Sequence, residues 1–156
     1  MKRLAIGQFV VDWVSERVQG DFGRAHGIGL QRLMTGPYAQ PQFGAPWKMI
    51  AGVAYEDYNG PNVVCHIAAE GANWMTRQFL WTIFDYPFNQ IKVERITVCV
   101  GEANMASRRF VAHLGFTLEA NLRGAHPTGD LLVWRMFRED CKWISHDTCK
   151  RNAKAA

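Results

Sequence analysis

The sequence predicts one mixed α/β domain, built on a mostly antiparallel sheet that a C-terminal hairpin closes. Three observations predict it. Val10, Val11, Val14 and Val18 recur at helical spacing near the N-terminus. Two strand-like runs, Lys48 to Tyr58 and Val63 to Ala69, flank the turn signal Asn59-Gly60-Pro61. A strand, a short helix and a second strand then follow one another between Val93 and Arg123. The 156 residues suffice for one domain with a proper core and are too few for two ordinary ones. The domain is expected over residues 1–145, with a basic tail over 146–156.

The elements can be justified in order. Polar Asp12, Ser15, Glu16 and Gln19 interleave the valines, which predicts a helix from about Gln8 to Gln19, stopped by Gly20. Gly27 to Leu33 alternates and is expected as the first strand. The segment from Gly36 to Pro46 holds three prolines and two glycines and reads as a loop. It is long for a connection between strands; long loops often carry function, but a tolerated surface insertion is the expected reading here. The hairpin from Lys48 to Ala69 comes next. Gly71-Ala72-Asn73 leads into a helix from about Trp74 to Phe84, with Phe79, Leu80, Ile83 and Phe84 facing the core. Pro87 forces Tyr86 out of helical geometry and is expected to end it.

The best-defined stretch follows. Ile96, Val98 and Val100 alternate with Thr97 and Cys99, the period of a strand from Val93 to Val100. Asn104 stands where a helix N-cap belongs. Ala106, Phe110, Val111 and Leu114 form an apolar stripe, and Gly115 is a left-handed helix stop. Phe116 and Leu118 open the next strand. It pairs with Leu131 to Met136 through a loop from Gly124 to Gly129.

Composition bounds the function. Hydrophobic residues are 48% and charged residues 21%, a globular composition. No apolar run approaches the roughly 20 residues of a spanning helix. Asp12 and Glu16 interrupt the N-terminal apolar segment, and no small-residue cleavage site follows, so a cytoplasmic protein without a membrane partner is expected. The cysteines at 65, 99, 141 and 149 include no CxxC pair and are expected as buried reduced thiols. Cys141, His146 and Cys149 match no common zinc spacing and lack a fourth ligand, so no metal is expected. The net charge of +4 suits an anionic ligand but is also ordinary solubility. Trp13, Trp81 and Trp134 fall in apolar patterns and read as core. No nucleic-acid motif accompanies them, so a nucleic-acid partner is not expected.

Asn104, Ser107, Gly115 and Phe116, at these spacings in a strand–helix–strand order, resemble the C-terminal half of a GNAT N-acetyltransferase. Ser107, Glu119 and Arg123 are similar to the subgroup that acetylates ribosomal-protein N-termini. Small phage and bacterial proteins of the superfamily carry the same pattern. The resemblance implies a central, mostly antiparallel sheet with one parallel, splayed strand pair, here Val63 to Ala69 beside Val93 to Val100. It implies direct transfer of an acetyl group from acetyl-CoA to an amine on a protein or small molecule, and it is compatible with a homodimer. A degenerate GNAT-fold module that binds a host or partner protein is the alternative.

The resemblance also implies where the work is done. The pantetheine arm meets the strand end Ile67, Ala68 and Ala69, whose small side chains permit close approach. The pyrophosphate meets the following helix start. There the family carries Gln/Arg-x-x-Gly-x-Gly/Ala, and this chain reads Trp74-Met75-Thr76-Arg77-Gln78-Phe79, without glycine. Helix N–H groups, the Thr76 hydroxyl and the Arg77 cation are left to hold it. Asn104 contacts the cofactor amide and Ser107 lies near the thioester sulfur. Many members protonate the leaving thiolate with a tyrosine seven residues after the Asn; here that position is Val111, which leaves Ser107, water, Tyr55 or Tyr58. For the base, His66 stands in an otherwise apolar strand, and an unperturbed pKa of about 6.5 suits proton removal near neutrality. Glu70 is the second candidate. Arg108 and Arg109 could meet the ribose phosphate, and His113 reads as surface.

Overall fold

A computed structural model describes residues 1–23, 25–35, 46–71 and 73–144. The loop expected at Gly36 to Pro46, apart from Pro46, and the basic tail lie outside the described residues. The order is β1 (Lys2–Ile6), α1 (Gln8–Val18), β2 (His26–Leu33), β3 (Trp47–Glu56), β4 (Asn62–Ala69), α2 (Arg77–Asp85), β5 (Arg95–Gly101), α3 (Met105–Leu114), β6 (Thr117–His126) and β7 (Gly129–Phe137). The strands hydrogen-bond in the order β1-β2-β3-β4-β5-β7-β6. β4 and β5 are parallel from Asn62–Arg95 to Val64–Thr97. Parallel neighbours need a crossover, and α2 lies within it, as expected. Among the described residues no helix is long and apolar enough to cross a membrane.

Several boundaries differ from the sequence expectation, each for a local reason. The first strand is β1, not the run from Gly27. Only Ala5 of its five residues is buried, so no alternation marks it. Backbone pairing with β2, from Lys2–Arg32 to Ile6–Ile28, makes it a strand. α1 stops a residue earlier than expected, because Gln19 rather than Gly20 takes the left-handed conformation, at φ 55°. α2 ends at Asp85, just before Tyr86 and Pro87 as expected, but the chain does not leave helical geometry: a π-helical turn, Tyr86–Gln90, follows with Pro87 near its start. Ile91 N–H closes that turn on the Tyr86 carbonyl at 3.0 Å. The β6–β7 hairpin is tighter than expected. Its strands run to His126 and from Gly129, and Gly124, at φ 65°, falls within a register shift of β6 rather than in the turn.

Two compact units make up the chain. The first comprises Met1–Glu56 and His66–Phe79, the second Asp57–Cys65 and Leu80–Ala156. In the first, Val10, Val11 and Val14 of α1 pack with Ala5, Met49, Ala54 and Ala68. Gly27 permits this approach: a Cβ there would stand 2.7 Å from the Gly7 carbonyl oxygen and 2.9 Å from Val10 Cβ. In the second, Ile96, Val98 and Val100 of β5 and Leu132, Trp134 and Met136 of β7 are buried on one face. Val111 and Leu114 are buried as expected, but Ala106 of the expected stripe is exposed. Trp134 is core, while Trp13 and Trp81 are half-buried.

Cys65 and Cys141 are buried free thiols. Burial pushes Cys65 up to about 12 and Cys141 to about 11. Cys99 corrects the expectation. It is free but exposed, because strand alternation turns it away from the Val98 and Val100 face.

Candidate active site

The first unit holds the residues expected to supply the base and to meet the phosphates. β4 ends in His66, Ile67, Ala68 and Ala69. His66 is placed by the β3–β4 hairpin so that its Nε2 lies 2.5 Å from Glu56 Oε1. Its ring stacks on Phe22, with centroids 3.9 Å apart and planes 17° from parallel. About a fifth of each side chain of the pair reaches solvent, 20% for His66 and 22% for Glu56. With Nε2–H donating to the carboxylate, Nδ1 holds the lone pair that can accept a proton. Glu56 escaped the sequence reading. No periodicity marks it: Glu56 ends β3 and His66 lies within β4, and only the pairing of these two strands brings the side chains together.

Glu70 sits differently. Its carboxylate accepts from Arg17 Nη2 at 2.6 Å and from Lys48 Nζ at 3.1 Å. Those bonds, Arg17's first, hold its carboxyl below the usual range. A carboxylate shared by two cations is a poor proton acceptor.

Ala68 is buried in the α1 core and Ala69 is exposed, so packing alone accounts for the small side chain at 68. The helix after β4 begins at Arg77 rather than Trp74. Gly71 and Asn73 both have positive φ, 71° and 67°, so the approach cannot be helical. Thr76 then caps the helix, its Oγ1 accepting from the Phe79 N–H at 3.2 Å. Trp74 is buried edge-on to Phe79, with ring centroids 6.2 Å apart. Met75 and Arg77 are exposed, with Arg77 the first residue of α2. Thr76 and Arg77 thus stand at a helix N-terminus, and Trp74 has a packing role.

In the second unit, Asn104 is the N-cap of α3, its Oδ1 accepting from the Ser107 N–H at 3.0 Å. Gly115 closes the helix at φ 107°, in the left-handed region. Ser107 is half-exposed in the first turn. Val111 is 3% exposed and packs in the core, so no acid stands at the tyrosine position. Arg108 is committed to the loop before the helix, donating to the Glu102 carbonyl at 3.1 Å. Arg109 and His113 are exposed. Of the two tyrosines considered as acids, Tyr55 is buried, at 4%, and Tyr58 is exposed, at 58%. Among the described residues, no group of three potential metal ligands occurs.

Comparison with solved structures places this architecture. The spermidine/spermine N-acetyltransferase of Vibrio cholerae, in mutant forms, aligns with 89% of this chain and 96% of its own, at 12% identity and TM-score 0.61. The chain has the GNAT fold. A structure of the Vibrio cholerae spermidine N-acetyltransferase in complex with CoA and spermine aligns over 86% of this chain and 76% of that one, at 12% identity and TM-score 0.60. The ribosomal-protein-S5-alanine acetyltransferase of Vibrio fischeri aligns over 86% and 72%, at 15% identity and TM-score 0.55. No protein-family model matches the chain, and no curated protein sequence matches it.

Proposed function

We propose that the protein is an acetyl-CoA-dependent N-acetyltransferase that moves the acetyl group directly to an amine. The observation that carries this reading is the GNAT fold, matched over 86% of the chain by an N-acetyltransferase bound to CoA and spermine. His66 is assigned as the general base. Its Nδ1 takes the ammonium proton, and Glu56 orients the ring and stabilises the imidazolium that forms. The neutral amine attacks the thioester carbonyl, and the tetrahedral intermediate expels the CoA thiolate. As the intermediate collapses, its nitrogen gives up a second proton, which Ser107 or a bound water relays to the departing thiolate. The first turn of α2, with Thr76 and Arg77, is assigned to the CoA phosphates, and the backbone of Ile67 to Ala69 to the pantetheine arm. Asn104 is assigned to the cofactor amide. The acceptor is an amine on a protein or a small molecule in the cytoplasm.

Isothermal calorimetry with acetyl-CoA and CoA tests the reading first. Mass spectrometry of acetyl transfer to a panel containing spermidine and alanine-terminated peptides tests it second. His66→Ala is expected to lower turnover about 10²-fold or more at neutral pH, since general-base catalysis contributes roughly 10²–10⁴, with little change in acetyl-CoA affinity. Unchanged turnover would move the base to a water chain. One observation favours the alternative of a non-catalytic binding module: the Phe79 N–H, one donor of a glycine-free helix start, is already used by Thr76. Wild-type protein that fails to bind millimolar CoA would establish that alternative and sink the enzyme reading.

A further inference from the structure

The β1–β2 edge of the first unit concentrates positive charge. Lys2 is the cross-strand partner of Arg32, and Arg32 is the partner of Lys48. Like charges directly opposite one another destabilise a sheet. Lys48 is compensated by Glu70 at 3.1 Å. Among the described residues, Lys2, Arg3 and Arg32 have no acidic partner.

A pocket of about 200 Å³ opens beside them. Lys2, Arg3, Thr76 and Gln78 supply its polar lining and Leu30 and Phe79 part of its apolar wall, and among the described residues no carboxylate lines it. Sites for drug-sized ligands run to about 300–1,000 Å³, so this volume suits a single phosphoryl group rather than a whole nucleotide. Its cations are held without being neutralised. Arg3 Nε donates to the side-chain oxygen of Gln31 at 2.8 Å, and the guanidinium lies 4.2 Å from the Trp47 ring. Lys2 Nζ donates to the backbone carbonyl of Asn73, which ties β1 to the loop that leads into Thr76.

The geometry points to a phosphate pocket in which Lys2 and Arg3, with Arg32 beside them, bind a phosphate group of CoA. This rests on the acetyltransferase reading and deepens it. Side-chain cations from the first two strands do here what glycine-rich backbone does elsewhere. A fixed guanidinium presents a planar pair of donors to phosphate oxygens, and the lysine adds a point charge. A bound phosphate would also relieve the repulsion between Lys2 and Arg32.

The triple variant Lys2→Gln/Arg3→Gln/Arg32→Gln separates the possibilities. All three side chains are exposed, and the removed repulsion offsets the lost contacts to Asn73, Gln31 and Trp47, so the variant is expected to stay folded, as its melting temperature checks. CoA affinity, read by calorimetry, is expected to fall at least tenfold. Inorganic pyrophosphate is expected to compete with CoA on the wild-type protein and to lose that competition on the variant. A folded variant that binds CoA as the wild type does overturns the pocket and leaves the enzyme reading standing. Wild-type protein that does not bind CoA overturns the enzyme reading and this inference with it.

Discussion

Asn104 offers a clean separation of a structural role from a functional one. Its Oδ1 accepts the Ser107 N–H at 3.0 Å and so satisfies one of the orphan donors of α3. Removing a cap of this kind costs about 0.5–2 kcal/mol, typically ~1. For a chain of 156 residues that lowers the melting temperature by roughly 2–4 °C per kcal/mol. Asn104→Ala is therefore expected to melt about 2–4 °C lower by differential scanning fluorimetry. Asn104→Asp keeps an acceptor oxygen and places a negative charge at a helix N-terminus, so it is expected to melt with the wild type. The amide nitrogen, by contrast, is not used by the cap. If it donates to the cofactor, Asn104→Asp loses a neutral hydrogen bond worth about 0.5–1.5 kcal/mol, and acetyl-CoA affinity drops roughly twofold to tenfold at unchanged stability. An Asp variant with wild-type affinity would refute the cofactor contact. An Ala variant with wild-type melting would refute the cap.

Two further perturbations probe the first unit. Gly27→Ala sets a Cβ against the Gly7 carbonyl oxygen at 2.7 Å and Val10 Cβ at 2.9 Å, so it is expected to cost about 1–3 kcal/mol in a urea melt; a neutral result would show that α1 can shift away from the sheet. Glu70 carries a depressed folded-state pKa, chiefly through Arg17's hydrogen bond and then Lys48's. Its contribution is present above the unfolded value of about 4.3 and is lost as pH falls through the lower folded value. The stability gap between wild type and Glu70→Gln is therefore expected at pH 7 and should close at acid pH, below the depressed folded value; a gap independent of pH would contradict the ion-pair account.

The parts of this fold that could be read in advance are those where one residue type has one physical job. Asn104 and Gly115 bracket α3 where a side-chain acceptor and a positive φ are needed, and the structure puts both to those uses. Phe79, Leu80, Ile83 and Phe84 were legible because helical periodicity sorts them onto one buried face. β1 was not legible, since backbone pairing rather than an apolar pattern defines it. The start of α2 was missed because Asn73 adopts a left-handed conformation that asparagine tolerates but does not announce. His66 could be singled out as a histidine in an apolar strand. Its partner Glu56 and its stacking on Phe22 depend on tertiary placement, and so does the Arg17–Glu70–Lys48 cluster that weakens Glu70 as a base.

The glycine-free start of α2 changes how a phosphate could be held, and that change has a measurable signature. Glycines in such a loop let backbone N–H groups approach phosphate oxygens directly, and those dipoles act at hydrogen-bond distance. Here Thr76 uses the Phe79 N–H, and Arg77 is an exposed cation on the first turn. More of the attraction must then come from exposed side-chain charge, which salt screens: the Debye length falls from about 10 Å at 0.1 M to about 3 Å at 1 M. Arg77→Glu replaces attraction with repulsion. A charge-assisted hydrogen bond is worth roughly 1.5–3 kcal/mol, so CoA affinity is expected to fall about tenfold to a hundredfold or more. The deficit should shrink as salt rises, because both the lost attraction and the new repulsion are screened. Calorimetry of wild type and variant across a salt series reads both effects. A deficit that stays constant from low to high salt would mean that Arg77 acts through geometry rather than charge, and backbone donors would then carry the phosphate site after all.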